Sequence, residues 1–169
     1  MTVWTTIDSP LGELLLVGEE SATARGGTAL VSLSMPGQKS GAVVRDGWTR
    51  DGGAFTDIVA QLASYFDGAL TDFSVEYAEG AGTDFQRRVW KAVEGVPYGT
   101  TVSYGEIASR IGASRAAVRA VGTAIGANPV LVVRPCHRVI GAGGALAGYA
   151  AGLERKQRLL DLENTRRPG

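Results

Sequence analysis

Apolar residues at Val3-Trp4 and from Leu14 to Val17 flank a break at Ser9-Pro10-Leu11-Gly12, so Thr2 to Val17 reads as two strands joined by a turn. A third strand fits Ala29 to Ser34, and the Gly-rich, polar stretch 35–53 reads as a loop. Phe55, Ile58, Val59, Leu62 and Phe66 then recur at helical spacing, so a helix with one buried face is expected there. Phe73 to Tyr77 fits one more strand. Glu79-Gly80-Ala81-Gly82 is the best candidate for a boundary, dividing the chain into residues 1–79 and 80–169.

The second part has a different rhythm. Thr83 with Gln86 spells a capping box ahead of Phe85, Val89, Trp90 and Val93, which share one side of a helix that stops at Pro97-Tyr98-Gly99. Ser103 with Glu106 is a second capping box, opening a short helix that ends at Gly112, and Ser114 is placed to cap a third helix running to about Ile125. Two short helices across a Gly-containing turn form a helix-turn-helix pattern. On a helical wheel Ala117, Val118, Val121 and Ile125 face inward, while Arg115, Ala116, Arg119, Gly122 and Thr123 lie opposite. That outer face pairs cations with very small residues, which lets a helix backbone approach a narrow groove. Pro129 to Val133 is a wholly apolar run that reads as a buried strand. A last helix spans Leu153 to Glu163, and 164–169 reads as a frayed basic tail.

Charge changes the picture, because a formal net charge of zero hides a segregation. Residues 1–83 hold four cations against eleven acids, so the remaining thirteen cations and six acids fall in 84–169, giving halves near −7 and +7. A basic half carried by an acidic one fits a surface that faces phosphates on one side only; internal charge pairing is the plainer alternative. There is no apolar run long enough to cross a membrane, and the acidic Asp8 and Glu13 argue against a signal peptide, so the cytoplasm is the expected location.

One cysteine and one histidine narrow the chemistry further. They exclude an internal disulfide and a structural Cys/His zinc site, which needs about four ligands. A lone cysteine is more often a small buried hydrophobe than a nucleophile. Here, however, Cys136 follows a buried run through Pro135 and is flanked by Arg134, His137 and Arg138. Nearby cations favour the thiolate, and the adjacent histidine could take the thiol proton, directly or through a water. Glu163 is a candidate to orient that histidine, although spacing alone does not establish it.

Pro135-Cys136-His137-Arg138-Val139-Ile140 resembles the active-site motif of the O6-alkylguanine-DNA alkyltransferases, the methylated-DNA–protein-cysteine methyltransferases. The resemblance begins at Phe85-Gln86-Arg87-Arg88-Val89-Trp90. It continues through Pro97-Tyr98-Gly99, Ser103-Tyr104, Arg119-Ala120-Val121-Gly122, Asn128-Pro129 and Gly148-Tyr149 to Arg155-Lys156, Leu159-Leu160 and Glu163. Ile7-Asp8-Ser9-Pro10-Leu11-Gly12 is similar to the family's opening hairpin.

The resemblance implies an α+β protein. A small antiparallel sheet with a helix, RNase H-like, would precede a mostly helical, winged helix-turn-helix-type domain that binds DNA and carries the cysteine. It implies direct transfer of an alkyl group from O6-alkylguanine in double-stranded DNA to Cys136, once per chain and without a cofactor or metal, with O4-alkylthymine as an open second substrate. His137 would act as base through a water, polarised by Glu163, and Asn128 would brace the turn before the cysteine. Tyr104 would donate to guanine N3, and the Ala150 amide would donate to O6. Tyr149 would wall the pocket, and the carbonyls of Cys136 and Val139 would accept from the exocyclic amine. Arg119 would fill the stack, with Arg115, Ala116, Ala120, Thr123 and Arg138 as further DNA contacts. The protein would be a monomer able to cluster cooperatively on DNA. The sequence departs from the family pattern in one extra residue between Tyr104 and Arg119, in Arg134, in the Gly148–Gly152 loop and in lacking the metal-binding cysteines of some relatives. A non-repairing DNA-binding relative, a plain helix-turn-helix regulator and a Cys-His-Glu hydrolase are the competing readings.

Overall fold

The computed structural model describes residues 1–39, 41–144 and 146–166. Strands β1 (Thr2–Ile7), β2 (Leu14–Glu20) and β3 (Thr28–Ser34) form the expected antiparallel meander, closed at the first turn by Ser9. Its hydroxyl accepts from Leu11 N–H and donates to the Gly12 carbonyl. The 35–53 stretch is not all loop, since β4 (Thr49–Arg50) adds a parallel edge to β1 and makes the sheet order β3-β2-β1-β4. Between β2 and β3 the register shifts at Val17/Gly18. A Cβ on Gly18 would stand 2.6 Å from Thr28 and 2.9 Å from the Ala29 carbonyl, so only glycine fits the bulge.

Helix α1 (Thr56–Phe66) covers one sheet face with Ile58, Leu62 and Tyr65. These join Leu14, Leu16, Leu30, Leu33 and Phe55 in the first core. Each fully buried large apolar side chain contributes about 1.5–3 kcal/mol. The predicted strand 73–77 reduces to a single parallel bridge, Tyr77 to Leu30. The rest of the segment has no regular structure, and Ser74 N–H and carbonyl are both taken by the buried Gln61 side chain instead of by a ladder.

The second core gathers α2 (Asp84–Glu94), α3 (Tyr104–Arg110) and α4 (Val118–Gly126) around Val89, Trp90, Val93, Ile107, Val121 and Ile125. Trp90 donates its indole N–H to the Ala124 carbonyl at 2.8 Å and so locks α2 to α4. Both halves of the Thr83/Gln86 capping box form, whereas of the Ser103/Glu106 box only the serine half does, its hydroxyl accepting from Glu106 N–H at 3.1 Å. Ser114 makes no side-chain cap. Arg115–Ala117 winds as a 3-10 turn, and the α-helix proper starts at Val118. A two-stranded parallel sheet pairs β5 (Val102–Ser103) with β6 (Val139–Ile140). Helix α5 (Leu153–Arg166) runs on through part of the predicted tail, and residues 167–169 lie outside those described.

The apolar run 129–133 is buried as expected but is not a strand. It makes one parallel bridge, Val130 to Leu33, and then turns. Val133 N–H donates to the Leu131 carbonyl at 2.7 Å across Val132, whose φ of 67° is the one positive value at a non-glycine among the described residues. A β-branched residue held in that region is strained, and a γ-turn is the conformation that uses it. Leu131, Val132 and Val133 reach into the first core, so the segment carrying the cysteine is anchored in the sheet domain's interior.

Candidate active site

A second tight turn follows at once. Pro135 (φ −82°, ψ 58°) lets Cys136 N–H donate to the Arg134 carbonyl at 2.8 Å, an inverse γ-turn, and Cys136–Arg138 closes as a 3-10 turn. The paired turns reverse the chain within a few residues and set Cys136 against α2, α3 and α4, with 2 % of its surface exposed. Burial pushes its thiol up to about 12, although Arg134, a hydrogen bond from Asn128 and Lys156 all pull it down. The cations act in the expected direction, but desolvation outweighs them. A proton acceptor is needed.

His137 supplies one. It is fully buried, and its Nε2 lies 2.6 Å from Glu163 Oε2. Burial pushes Glu163 up, but hydrogen bonds from His137 and Arg138, together with the Arg138 charge, outweigh that and hold its carboxyl at about 2. An ionised carboxylate only accepts, so Nε2 carries the proton and the neutral ring keeps its lone pair on Nδ1. Among the described residues Nδ1 has no hydrogen-bond partner. Burial also lowers His137 below the ordinary histidine value against the pull of Glu163, so the ring is neutral and ready to accept.

Arg138 corrects the expectation that it contacts DNA. It is 6 % exposed and donates from Nε to Glu163 Oε1 (2.8 Å), from Nη2 to Glu163 Oε2 (3.0 Å) and from Nη1 to the Val96 carbonyl (2.7 Å). All three of its nitrogens are engaged inside the protein, which leaves it poorly placed to meet a phosphate. Its role is to fix the Glu163 carboxylate.

Asn128 ties the two γ-turns together. Its Oδ1 accepts from Val130 N–H (3.0 Å) and Arg134 Nη1 (3.1 Å), and its Nδ2 donates to the Val130 carbonyl (3.1 Å). Arg134, the unusual residue before the proline, is buried too. It pairs with Glu94 Oε2 at 2.9 Å and stacks its guanidinium 4.2 Å from the Tyr77 ring and 4.9 Å from Trp90.

Lys156 is the residue with no predicted role that the geometry brings forward. It is fully buried, and its Nζ donates to the carbonyls of Val139 (2.6 Å), Gly148 (3.0 Å) and Ala147 (3.2 Å). Burial brings it down to about 8. Tyr104 is half-buried, and its hydroxyl donates to the same Ala147 carbonyl at 2.6 Å. Two groups expected to read guanine, the Tyr104 hydroxyl and the Val139 carbonyl, are thus engaged within the protein. The carbonyl keeps a second lone pair, whereas the hydroxyl has one proton to give. Tyr149 packs against both cores, and Ala150 is partly buried beside the first.

The α4 face is the opposite case. Arg115, Ala116, Arg119, Ala120 and Thr123 are exposed, and Val121, Ala124 and Ile125 are buried on the other side. Among the described residues, no group of His, Cys, Asp and Glu is placed to hold a metal ion, and no helix is long and apolar enough to cross a membrane.

Comparison with known proteins adds two domain matches. Residues 2–78 match the family model described as 6-O-methylguanine DNA methyltransferase, ribonuclease-like domain, and residues 84–165 the one described as 6-O-methylguanine DNA methyltransferase, DNA binding domain. A methylated-DNA–protein-cysteine methyltransferase of Mycobacterium tuberculosis (strain ATCC 25618 / H37Rv) is 52% identical over 168 residues, covering 99% of this chain and 96% of the relative. One from Methanosarcina acetivorans is 45% identical over 158 residues, covering 94% and 96%. A crystal structure of Mycobacterium tuberculosis OGT in complex with DNA superposes with a TM-score of 0.86 at 51% identity, covering 99% of this chain and 96% of that one.

Proposed function

This chain belongs to the 6-O-methylguanine DNA methyltransferase family, and from that premise we propose that it repairs DNA by moving an alkyl group from guanine O6 to Cys136. The observation that carries this reading is the single cysteine held beside the single histidine, whose Nε2 is fixed by Glu163 and whose Nδ1 meets no partner among the described residues. The relatives' names and the DNA complex of one of them support the substrate.

The reaction follows from the geometry. The Cys136 proton passes to His137 Nδ1 through a bridging water as the sulfur attacks the alkyl carbon. The carbon–O6 bond breaks, its electron pair stays on the purine, and a thioether remains on Cys136. The Ala150 amide at O6 and the Tyr104 hydroxyl at N3 stabilise the charge that develops there, while the Cys136 and Val139 carbonyls hold the exocyclic amine and Tyr149 closes the wall. For Tyr104 to reach N3 it must release Ala147, so base entry exchanges one hydrogen bond for another.

The base must leave the duplex, at a cost of a few kcal/mol. Arg119 occupies the vacated place in the stack, Ala116, Ala120 and Thr123 line the groove-facing surface, and Arg115 meets phosphate. A thioether is a stable product that the described side chains have no ready chemistry to cleave, so each chain acts once. The units are residues 1–79 and 80–169, the latter holding DNA and cysteine. The protein acts as a monomer able to cluster on DNA, in the cytoplasm. The test is stoichiometry: excess duplex carrying O6-methylguanine should give repaired product equal to the protein present and then a plateau. Continued linear product formation would support a hydrolase instead.

A further inference from the structure

Tyr65 is a residue of α1, in the half of the molecule remote in sequence from the cysteine, yet it ends at the centre of the site. It is fully buried, with Phe66 (5.4 Å between ring centroids), Phe73 (5.2 Å) and Tyr98 (6.3 Å) around its ring. A phenylalanine would fill that space equally well. The hydroxyl is costly to bury unless it is paired, and it donates to Glu163 Oε2 at 2.6 Å. That is the oxygen which meets His137 Nε2, also at 2.6 Å.

The carboxylate is saturated. Oε2 receives Tyr65, His137 and Arg138 Nη2, and Oε1 receives Arg138 Nε and, at 3.4 Å, Gly99 N–H. A carboxylate offers about four lone-pair sites, so donors on Oε2 draw on shared electron density. Strengthening one weakens its neighbour.

We propose that Tyr65 is a positioning residue of alkyl transfer: its hydroxyl, delivered by the N-terminal half, sets how tightly Glu163 holds the His137 Nε2 proton and so how readily Nδ1 accepts a proton from Cys136. The proposal rests on the reading of His137 as base. The other charged or titratable groups acting on His137 are Glu163 and Lys156 from α5 and Arg138 from its own turn, a turn that also carries Cys136. Tyr98, on the loop after α2, stands against Arg138 at 5.6 Å. All of these lie in the second half of the chain, and Tyr65 is the contribution of the first 79 residues. The N-terminal half thereby enters the proton path and does more than cover it.

The chain has one histidine, so its ring gives one set of imidazole resonances. In Tyr65→Phe, Glu163 has one donor fewer and holds Nε2–H more strongly. The Nε2 proton should move downfield at neutral pH. The acid limb of the pH–rate profile for methyl transfer should move up by about half a pH unit, about a threefold slower rate at fixed pH on that limb. Site-specific 3-fluorotyrosine at position 65, a stronger donor, should shift both in the opposite direction. Leu62→Ala, one turn earlier in the same core, should lower Tm more than Tyr65→Phe and move neither. The imidazole signal needs no DNA, so it reports on Tyr65 separately from the transfer assay on the wild-type chain, which tests the proposed function. Unmoved imidazole shifts in both Tyr65 variants would make Tyr65 a packing residue alone. Moved shifts with an unmoved rate profile would equally overturn its part in transfer.

Discussion

The cations of the C-terminal half occupy two kinds of surroundings. Arg134, Arg138 and Lys156 are buried around Cys136, and each is tied to carboxylates, amide oxygens or backbone carbonyls. Arg115 and Arg119 stand exposed on the α4 side and make no ion pair among the described residues. The sequence places Arg115 and Arg119 on an outer helix face and Arg134 and Arg138 beside the cysteine, but it does not show which cations are buried and paired. Burial decides what each can do. A buried guanidinium is costly unless paired, so it fixes the geometry of its partner and contributes through it. An exposed one keeps its donors for an incoming phosphate and contributes to affinity in a salt-dependent way. Variants in the interior should therefore change chemistry and stability, and variants on α4 should change engagement with DNA.

The largest effect expected is at the interior's centre. Cys136→Ser should lose methyl transfer entirely while keeping duplex binding in a gel-shift titration; residual transfer would remove Cys136 from its role. His137→Ala should come next. Loss of a positioned base typically costs about 10²–10⁴-fold in rate, and single-turnover kinetics should show that loss with binding little changed. Equal rates for variant and wild type at neutral pH would refute the base assignment.

Glu163→Gln reaches both stability and chemistry. It strands the Arg138 charge in the interior, so urea unfolding should show a loss of about 3–5 kcal/mol, the usual cost of removing one partner of a buried pair. Arg115→Ala should stay within about 0.5 kcal/mol of wild type. The pH dependence carries a sign. Glu163 is held at about 2 against an ordinary 4.5, so its contribution is fully present above pH 4.5 and fades as the pH falls towards 2. In the Glu163→Gln variant that acid-side fall in stability should be shallower. An unchanged slope would mean the carboxylate is not held by its partners.

The smallest effects separate the two exposed arginines. Arg115→Ala should weaken binding to every duplex and reduce the salt slope by about one. Arg119→Ala should slow repair in duplex DNA while reaction with free O6-benzylguanine, if the pocket admits it, stays near normal. If it slowed both substrates equally, the stack-filling role would have to be given up.

The same contrast explains what was legible in the sequence. The meander, α1, the Thr83 capping box and the inward face of α4 follow from local periodicity and cap chemistry, and they form with small boundary changes. The run 129–133 was legible as buried but not as turned, because an apolar run does not encode the two γ-turns that Val132 and Pro135 adopt. From the sequence Arg138 is expected to contact DNA, since its pairing with Glu163 across 25 positions has no local signal. Tyr65 had a partial one. It continues the buried stripe of Ile58 and Leu62 at i+7 and i+3, and a polar tip on such a stripe demands a partner. Which partner it finds depends on α5 docking against α1.

The most direct test of the account is intact-mass measurement after the protein meets an excess of duplex carrying one O6-methylguanine. Because the chain has a single cysteine, the account predicts a gain of one CH2 unit on every molecule, located by peptide mapping to Cys136 and never exceeded on longer incubation. An unchanged mass while the DNA is repaired, or a methyl group on any other residue, would contradict it.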